Sequence, residues 1–242
     1  MSKEKGFNNS IMIGNLIKEA WQKVSGVKSI FFLSGILLPF FYFIGLIFTA
    51  GYLITYSFKI TFHLNTMLIG MVVICLVLLL IFFGMFFLIA LNIILGLRRA
   101  IGLPLSIKTA SSQFFQNLGP IFIVFLLWFA LNGGLFFFEI TGANSILFRI
   151  ISALVLYLLT LPLLCLTLPF IITQRVSASV ALVKTYQIMR KQGLIIVLAI
   201  ILMEIILAIS MIPFGLGIIW TAPMFYILSG LLFRNAAGLR SM

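Results

Sequence analysis

Glu204 makes the sharpest chemical claim in this chain, because it is the only charged side chain deep inside a long apolar run. Eleven residues counted from Gly193, at about 1.5 Å each, place it about 16 Å into a membrane span and near its middle. An ionised carboxylate at that depth costs a few kcal/mol, so the group must face other helices or hold a proton. On a helical net it shares a face with Val197, Ile200, Ala208 and Met211. The same count puts Tyr42, Thr160 and Thr221 at about 18 Å depth on three other runs, which would form a polar layer around it. Two chemistries fit: a proton or cation relay, or a contact for a cationic substrate group. The structural alternative is a protonated acid bonded to a neighbouring helix. It is favoured because a coupling site usually has more than one ionisable group and the chain contains no aspartate.

The other reactive residue types stand apart from one another. Cys75 and Cys165 both sit inside apolar runs and read as buried free thiols. His63 is the only histidine, with no acid or cysteine near it in sequence, so no metal site is expected. Acid–base pairs and nucleophile triads need two or more convergent polar groups, which the spans do not offer, and no glycine-rich phosphate loop is present. Serines such as Ser34 and Ser210 read as packing donors between helices. Neither an enzyme nor a cofactor is expected.

The elements that must position these residues are membrane helices. With 63% hydrophobic residues, 8% charged residues and a mean hydropathy of +1.30 over 242 residues, the composition is that of an integral membrane protein. Each crossing needs about 20 apolar residues. Six runs qualify, near Ile30–Tyr52, Met67–Leu97, Leu118–Phe138, Ile146–Ile172, Leu194–Met211 and Leu216–Phe233. The second is longer than one crossing requires and should tilt or project. Almost thirty polar or mixed residues precede the first run, so no cleaved secretory leader is expected.

Between the runs lies a repeated pattern. Asn8–Ser29, Leu97–Leu118 and Thr173–Gly193 are each polar-rich and weakly amphipathic, and each is followed by a pair of apolar runs. The fold expected is therefore an all-α integral membrane protein, with six transmembrane helices arranged as three hairpins, each preceded by an interfacial amphipathic helix. The whole of 1–242 forms one membrane domain, with units of about 8–97, 98–172 and 173–242. If the units are related, the hairpins would pack around an axis along the membrane normal.

In the first segment Ile13, Ile17, Ala20, Trp21, Val24 and Val27 form an apolar stripe, with Trp21 at headgroup depth. In the second, Ile107, Ala110, Phe114 and Leu118 do so, and Pro104 separates the segment from the preceding span. In the third, Leu182, Val183, Tyr186 and Met189 lie on one side. Pro39, Pro162, Pro169 and Pro223 sit within spans and kink them. Asn92, and the small pair Ala130 and Gly134, read as helix-packing positions.

Charge sets the expected orientation. Of sixteen basic residues only Lys59 and Arg149 lie in the odd connections, while the rest flank the even ones, the N-terminal segment and the C-terminal tail. The positive-inside rule then places both termini and all three amphipathic segments in the cytoplasm. A net charge of +12 spread over four membrane-flanking segments suits anionic lipid headgroups and not nucleic acid. The headgroup candidates are Arg98, Arg99, Lys108, Arg175, Lys184, Arg190 and Lys191.

RRAIGLPLSIKTASSQFFQN from Arg98 and QRVSASVALVKTYQIMRKQG from Gln174 resemble segments of a group of uncharacterised bacterial inner-membrane proteins, similar to the membrane portion attached to some glycerophosphodiester phosphodiesterases. The shared features are a basic residue ending each even span and a serine-containing amphipathic helix with an aromatic such as Phe114 or Tyr186. The resemblance implies a six-helix bundle in the bacterial inner membrane and lipid contact. No soluble phosphodiesterase domain is present in the sequence, so catalysis is not carried over.

The function expected is a non-enzymatic membrane protein that engages lipids of the cytoplasmic leaflet or serves as a scaffold, with a protein partner or a second copy as further partners. The alternative is a small transporter or permease with a site near Glu204; a lipid-modifying enzyme is a third, less favoured class.

Overall fold

The computed structural model describes residues 13–27, 29–31, 64–141, 146–212 and 217–238. Beyond Phe31 the first expected span, with Pro39 and Tyr42, lies outside them, as do Lys59 and His63 and the side chain of Cys75. Among the described residues every regular element is a helix: α1 (Ile13–Val24), α2 (Leu64–Ala100), α3 (Ile107–Gln116), α4 (Leu118–Thr141), α5 (Ile146–Gln174), α6 (Ala178–Met211) and α7 (Ile218–Ala236). Two stretches, Phe82–Ala100 and Ala178–Ser210, are long and apolar enough to cross a membrane, and α3 with Leu118–Leu131 makes a third if that bent pair is one span.

Local chemistry explains where α2 stops. Gly102 takes a positive φ of 84°, which lets the Leu103 N–H return to the Arg98 carbonyl at 2.9 Å, and Pro104 cannot continue the helix. Ser106 then caps α3 by accepting from the Thr109 N–H at 3.3 Å. The Asn117 side chain donates back to the Gln113 carbonyl at 2.8 Å, and α3 meets α4 at 81°. The second amphipathic segment is thus a separate helix set almost square to the one that follows, as Pro104 foretold.

The third segment behaves differently. Residues 178–192 and the following apolar run form the single helix α6, not an interfacial helix followed by a separate span. The reason lies in the sequence of α6. No proline interrupts it, and one buried stripe runs through both halves: Ala178, Ala181 and Thr185, then Ile196, Ala199, Ile200 and Met203. A stripe that keeps helical spacing across Gly193 rewards continuity over a bend. The side expected to be apolar faces outward, with Val183 and Tyr186 exposed.

Among the described residues, packing of α2 on α7 is the most extensive pairing, followed by α5 on α6. Glycines allow the first. A Cβ added at Gly96 would overlap the Tyr226 carbonyl, and one added at Gly230 would lie 2.8 Å from both the Gly96 oxygen and the Leu97 Cα. Backbone touches backbone there, the arrangement by which apolar helices gain van der Waals contact in lipid. The pair Ala130 and Gly134 does not play this part on its described side, since Ala130 is exposed.

α3 is held by an aromatic wedge. Phe114, fully buried, lies edge-on to Phe86 at 5.3 Å and to Phe87 at 5.0 Å, and Phe86 continues to Phe125 of α4 at 4.4 Å. α1 packs on α7 and α2 through Leu16, Ala20 and Val24. Of the expected stripe Ala20, Val24 and Val27 are buried and Trp21 is exposed.

Candidate functional site

Three arginines gather where α1, α2 and α7 end, and all three turn inward. Arg98, itself buried, donates from Nε and Nη2 to the Pro104 carbonyl at 3.2 and 2.9 Å and from Nη1 to Gln113 Oε1 at 3.3 Å. Arg99 donates to the carbonyls of Lys23 and Ser25 at 2.9 and 3.0 Å. Arg234 pairs with Glu19 and also donates to the Ala100 carbonyl at 3.1 Å. Helix C-termini leave carbonyls unsatisfied and partly negative, so guanidinium groups are suited to closing them. Arg98 and Arg99 therefore spend their donors on the protein itself.

The other headgroup candidates face outward or line a cavity. Lys108, Arg175, Arg190 and Lys191 are exposed. Among the described residues the only ion pairs join Glu19 to Lys23 and Arg234, so these four cations have no carboxylate partner there. Arg175, with φ 50°, occupies the tight turn between α5 and α6. That turn borders a cavity of about 390 Å³ shared with Gln116, Asn117 and Pro120 at the α3–α4 joint. Lys184 donates to Gln174 Oε1 and lies 5.9 Å from the centre of the Phe170 ring.

A larger cavity, about 560 Å³, opens between the end of α5, the first half of α6 and the end of α7. Lys184, Gln187 and Lys191 line it from successive turns of α6, Gln174 from α5 and Gln192 from deeper in α6; Phe170, Ile188, Ala236 and Ala237 supply its apolar wall. The small side chains ending α7 leave the room, and the spacing of 184, 187, 188 and 191 turns one helix face into it. No sequence pattern announced this site, because its walls come from three separate helices.

The surroundings of Glu204 also differ from expectation. The groups shown near its carboxylate are the Cys165 thiol on α5 and the Tyr226 hydroxyl on α7, both of which it reaches electrostatically. The Asn92 side chain on α2 also acts on the Tyr226 hydroxyl. Cys165 is buried, as its apolar run suggested, and so is Asn92. Of the expected polar layer, Thr160 is buried on α5, and Thr221 lies 2.7 Å from Ser210 and donates to the Gly217 carbonyl at 3.1 Å, beside the α6–α7 connection. Tyr42 lies outside the described residues. Sequence reasoning noted Asn92 and Cys165 but did not bring them to Glu204, and it missed Tyr226.

Among the described residues no three His, Cys, Asp or Glu side chains gather into a metal site. No family model, curated protein or solved structure matches the chain.

Proposed function

We propose that the chain is a non-enzymatic, multi-pass protein of a bacterial inner membrane, whose six spans form three hairpins and whose exposed basic residues face the cytoplasm and engage anionic lipid headgroups. One observation carries this reading. On the three amphipathic segments, exposed apolar side chains (Trp21, Ile107, Phe115, Val180, Val183, Tyr186) alternate with the exposed cations Lys18, Lys108, Arg175, Arg190 and Lys191. A surface that is both greasy and uncompensated in charge suits the boundary between acyl chains and phosphates, where each cation near an anionic surface is worth about 1 kcal/mol. The resemblance to uncharacterised membrane proteins fits the same reading, without phosphodiester chemistry.

The test is lipid retention by the detergent-purified full chain, counted by native mass spectrometry against phosphatidylglycerol and phosphatidylcholine. The native chain should retain the anionic lipid preferentially, and Lys108→Ala, Arg175→Ala and Arg190→Ala together should lower that preference at least threefold. Equal retention of the two lipids by the native chain would refute the reading.

A second reading, a small permease, is supported by the electrostatic reach of Glu204 on α6 to Cys165 on α5 and Tyr226 on α7. A polar cluster inside spans commonly lines a pathway. A single cysteine at 204, in a Cys75→Ala, Cys165→Ala background, should then react with a membrane-impermeant thiol reagent from one side. Protection from both sides, in folded protein, would sink the permease and leave lipid engagement in place.

A further inference from the structure

We infer that the cavity of about 560 Å³ between α5, α6 and the end of α7 is a binding site for a single phospholipid, whose headgroup carries an anionic phosphodiester and, beyond it, a hydroxyl that donates a hydrogen bond. This deepens the lipid reading above and rests on it.

Four observations converge. The first is charge. Lys184 and Lys191 line the cavity and no carboxylate among the described residues pairs with either, so an anion placed between them meets two flexible ammonium groups and no repulsion. The second is an acceptor in need of a donor. Gln192 Oε1 is buried in the described structure and receives no hydrogen bond. An unsatisfied buried acceptor costs about 1–3 kcal/mol, which a ligand hydroxyl would recover. A phosphate alone, which brings acceptors, would not recover it.

The third is size. A volume of about 560 Å³ falls inside the range of small-molecule sites, about 300–1,000 Å³. The fourth selects a lipid over a soluble phosphate ester. Leu194, Leu198 and Leu202 are exposed and follow Lys184, Gln187 and Lys191 along the same face of α6 at helical spacing, as do Ile205 and Ile209. A headgroup in the cavity therefore has an apolar track directly beneath it for an acyl chain. Phe170 and Ile188 in the wall suit the glycerol ester region that joins the two.

The experiment is competitive native mass spectrometry on the full chain with three lipids of identical acyl chains: phosphatidylglycerol, phosphatidic acid and phosphatidylcholine. Phosphatidylglycerol should bind at least threefold more tightly than phosphatidic acid, and both should outbind phosphatidylcholine. Lys184→Ala with Lys191→Ala should weaken both anionic lipids at least fivefold. Gln192→Leu should abolish the difference between them while phosphatidic acid binds as before. Soluble glycerol 3-phosphate at millimolar concentration should fail to displace the lipid.

Phosphatidic acid binding as tightly as phosphatidylglycerol to the native chain overturns the hydroxyl requirement, and this arm needs no variant to fold. Anionic lipid binding left unchanged by the double lysine substitution overturns the cavity but spares the general reading. Displacement by glycerol 3-phosphate overturns the lipid as occupant. Loss of all anionic preference in the native chain defeats the general reading itself.

Discussion

Arg234 and Glu19 meet through two parallel hydrogen bonds of 2.9 Å, Nη1 to Oε1 and Nη2 to Oε2, across 215 residues of sequence. Lys23 stands 3.7 Å from the same carboxylate. The pair ties the first amphipathic helix to the end of the last helix, and Arg99 adds its bonds to the carbonyls of Lys23 and Ser25. Glu19 flanks the line of Leu16 and Ala20, so its pairing fixes the roll of α1 and turns Trp21 outward.

Breaking that pair should loosen α1. The two side chains are 13% and 33% exposed, between a surface pair and a buried one, so Glu19→Ala should cost about 1–2 kcal/mol. Hydrogen exchange of the α1 amides in detergent should speed up while that of α5 does not. Combining Glu19→Arg with Arg234→Glu should restore part of the protection; no change in α1 exchange on Glu19→Ala would show that apolar packing alone holds the helix.

Gly96→Ala should separate α2 from α7, because the added methyl overlaps backbone that cannot swing aside. A loss of about 2–3 kcal/mol or more is expected, at the upper end of overpacking costs. Gly119→Ala serves as the control, since its Cβ meets nothing within 4 Å and should be neutral or stabilise α4 by a few tenths of a kcal/mol or more. Thermal unfolding of the two variants should move in different directions; equal shifts would mean the glycine contact is not what joins the helices.

Thr167 and Thr185 share a hydrogen bond of 3.0 Å in the buried seam between α5 and α6. Thr185→Val should destabilise by about 1–2 kcal/mol, because it strands the Thr167 hydroxyl. Thr167→Val with Thr185→Val should recover most of that loss, as removing both partners leaves nothing unsatisfied. Additive losses in this cycle would place other partners on those hydroxyls.

Phe114 and Phe115 are adjacent on α3 and should separate stability from membrane contact. Phe114→Ala, at a fully buried wedge, should cost about 3–5 kcal/mol. Phe115 is 60% exposed, so Phe115→Ala should leave the unfolding temperature nearly unchanged, and the indole of Phe115→Trp should be quenched by brominated lipid tails. A large stability loss from Phe115→Ala would mean that its face is covered by protein.

Several elements were legible from residue types alone. Pro104 and Ser106 marked the break before α3 and its cap, and the 3.6-residue spacing of Ala110 and Phe114 found its buried face. The apolar runs located α2, α4, α5 and α7 to within a few residues, and Cys165 was expected to be buried because it lies in such a run. Those signals are local: a helix start, a helix stop and a period can be read without knowing what lies opposite.

What the sequence determined by itself was helical character, the apolar lengths that suit a membrane, and the placing of basic residues at helix ends. The tertiary structure decided which cations turn inward: Arg98 bonds the Pro104 carbonyl and Arg99 that of Lys23, whereas Lys108 and Arg190, equal to them in charge, face outward. It also decided that α6 runs unbroken past Gly193, that Gly96 and Gly230 touch, and that Glu204 has Cys165 and Tyr226 for neighbours. The physical reason is that lipid and protein interior are alike apolar, so a hydrophobic stripe does not declare which of the two will cover it. Only the helices packed on the other side settle that choice.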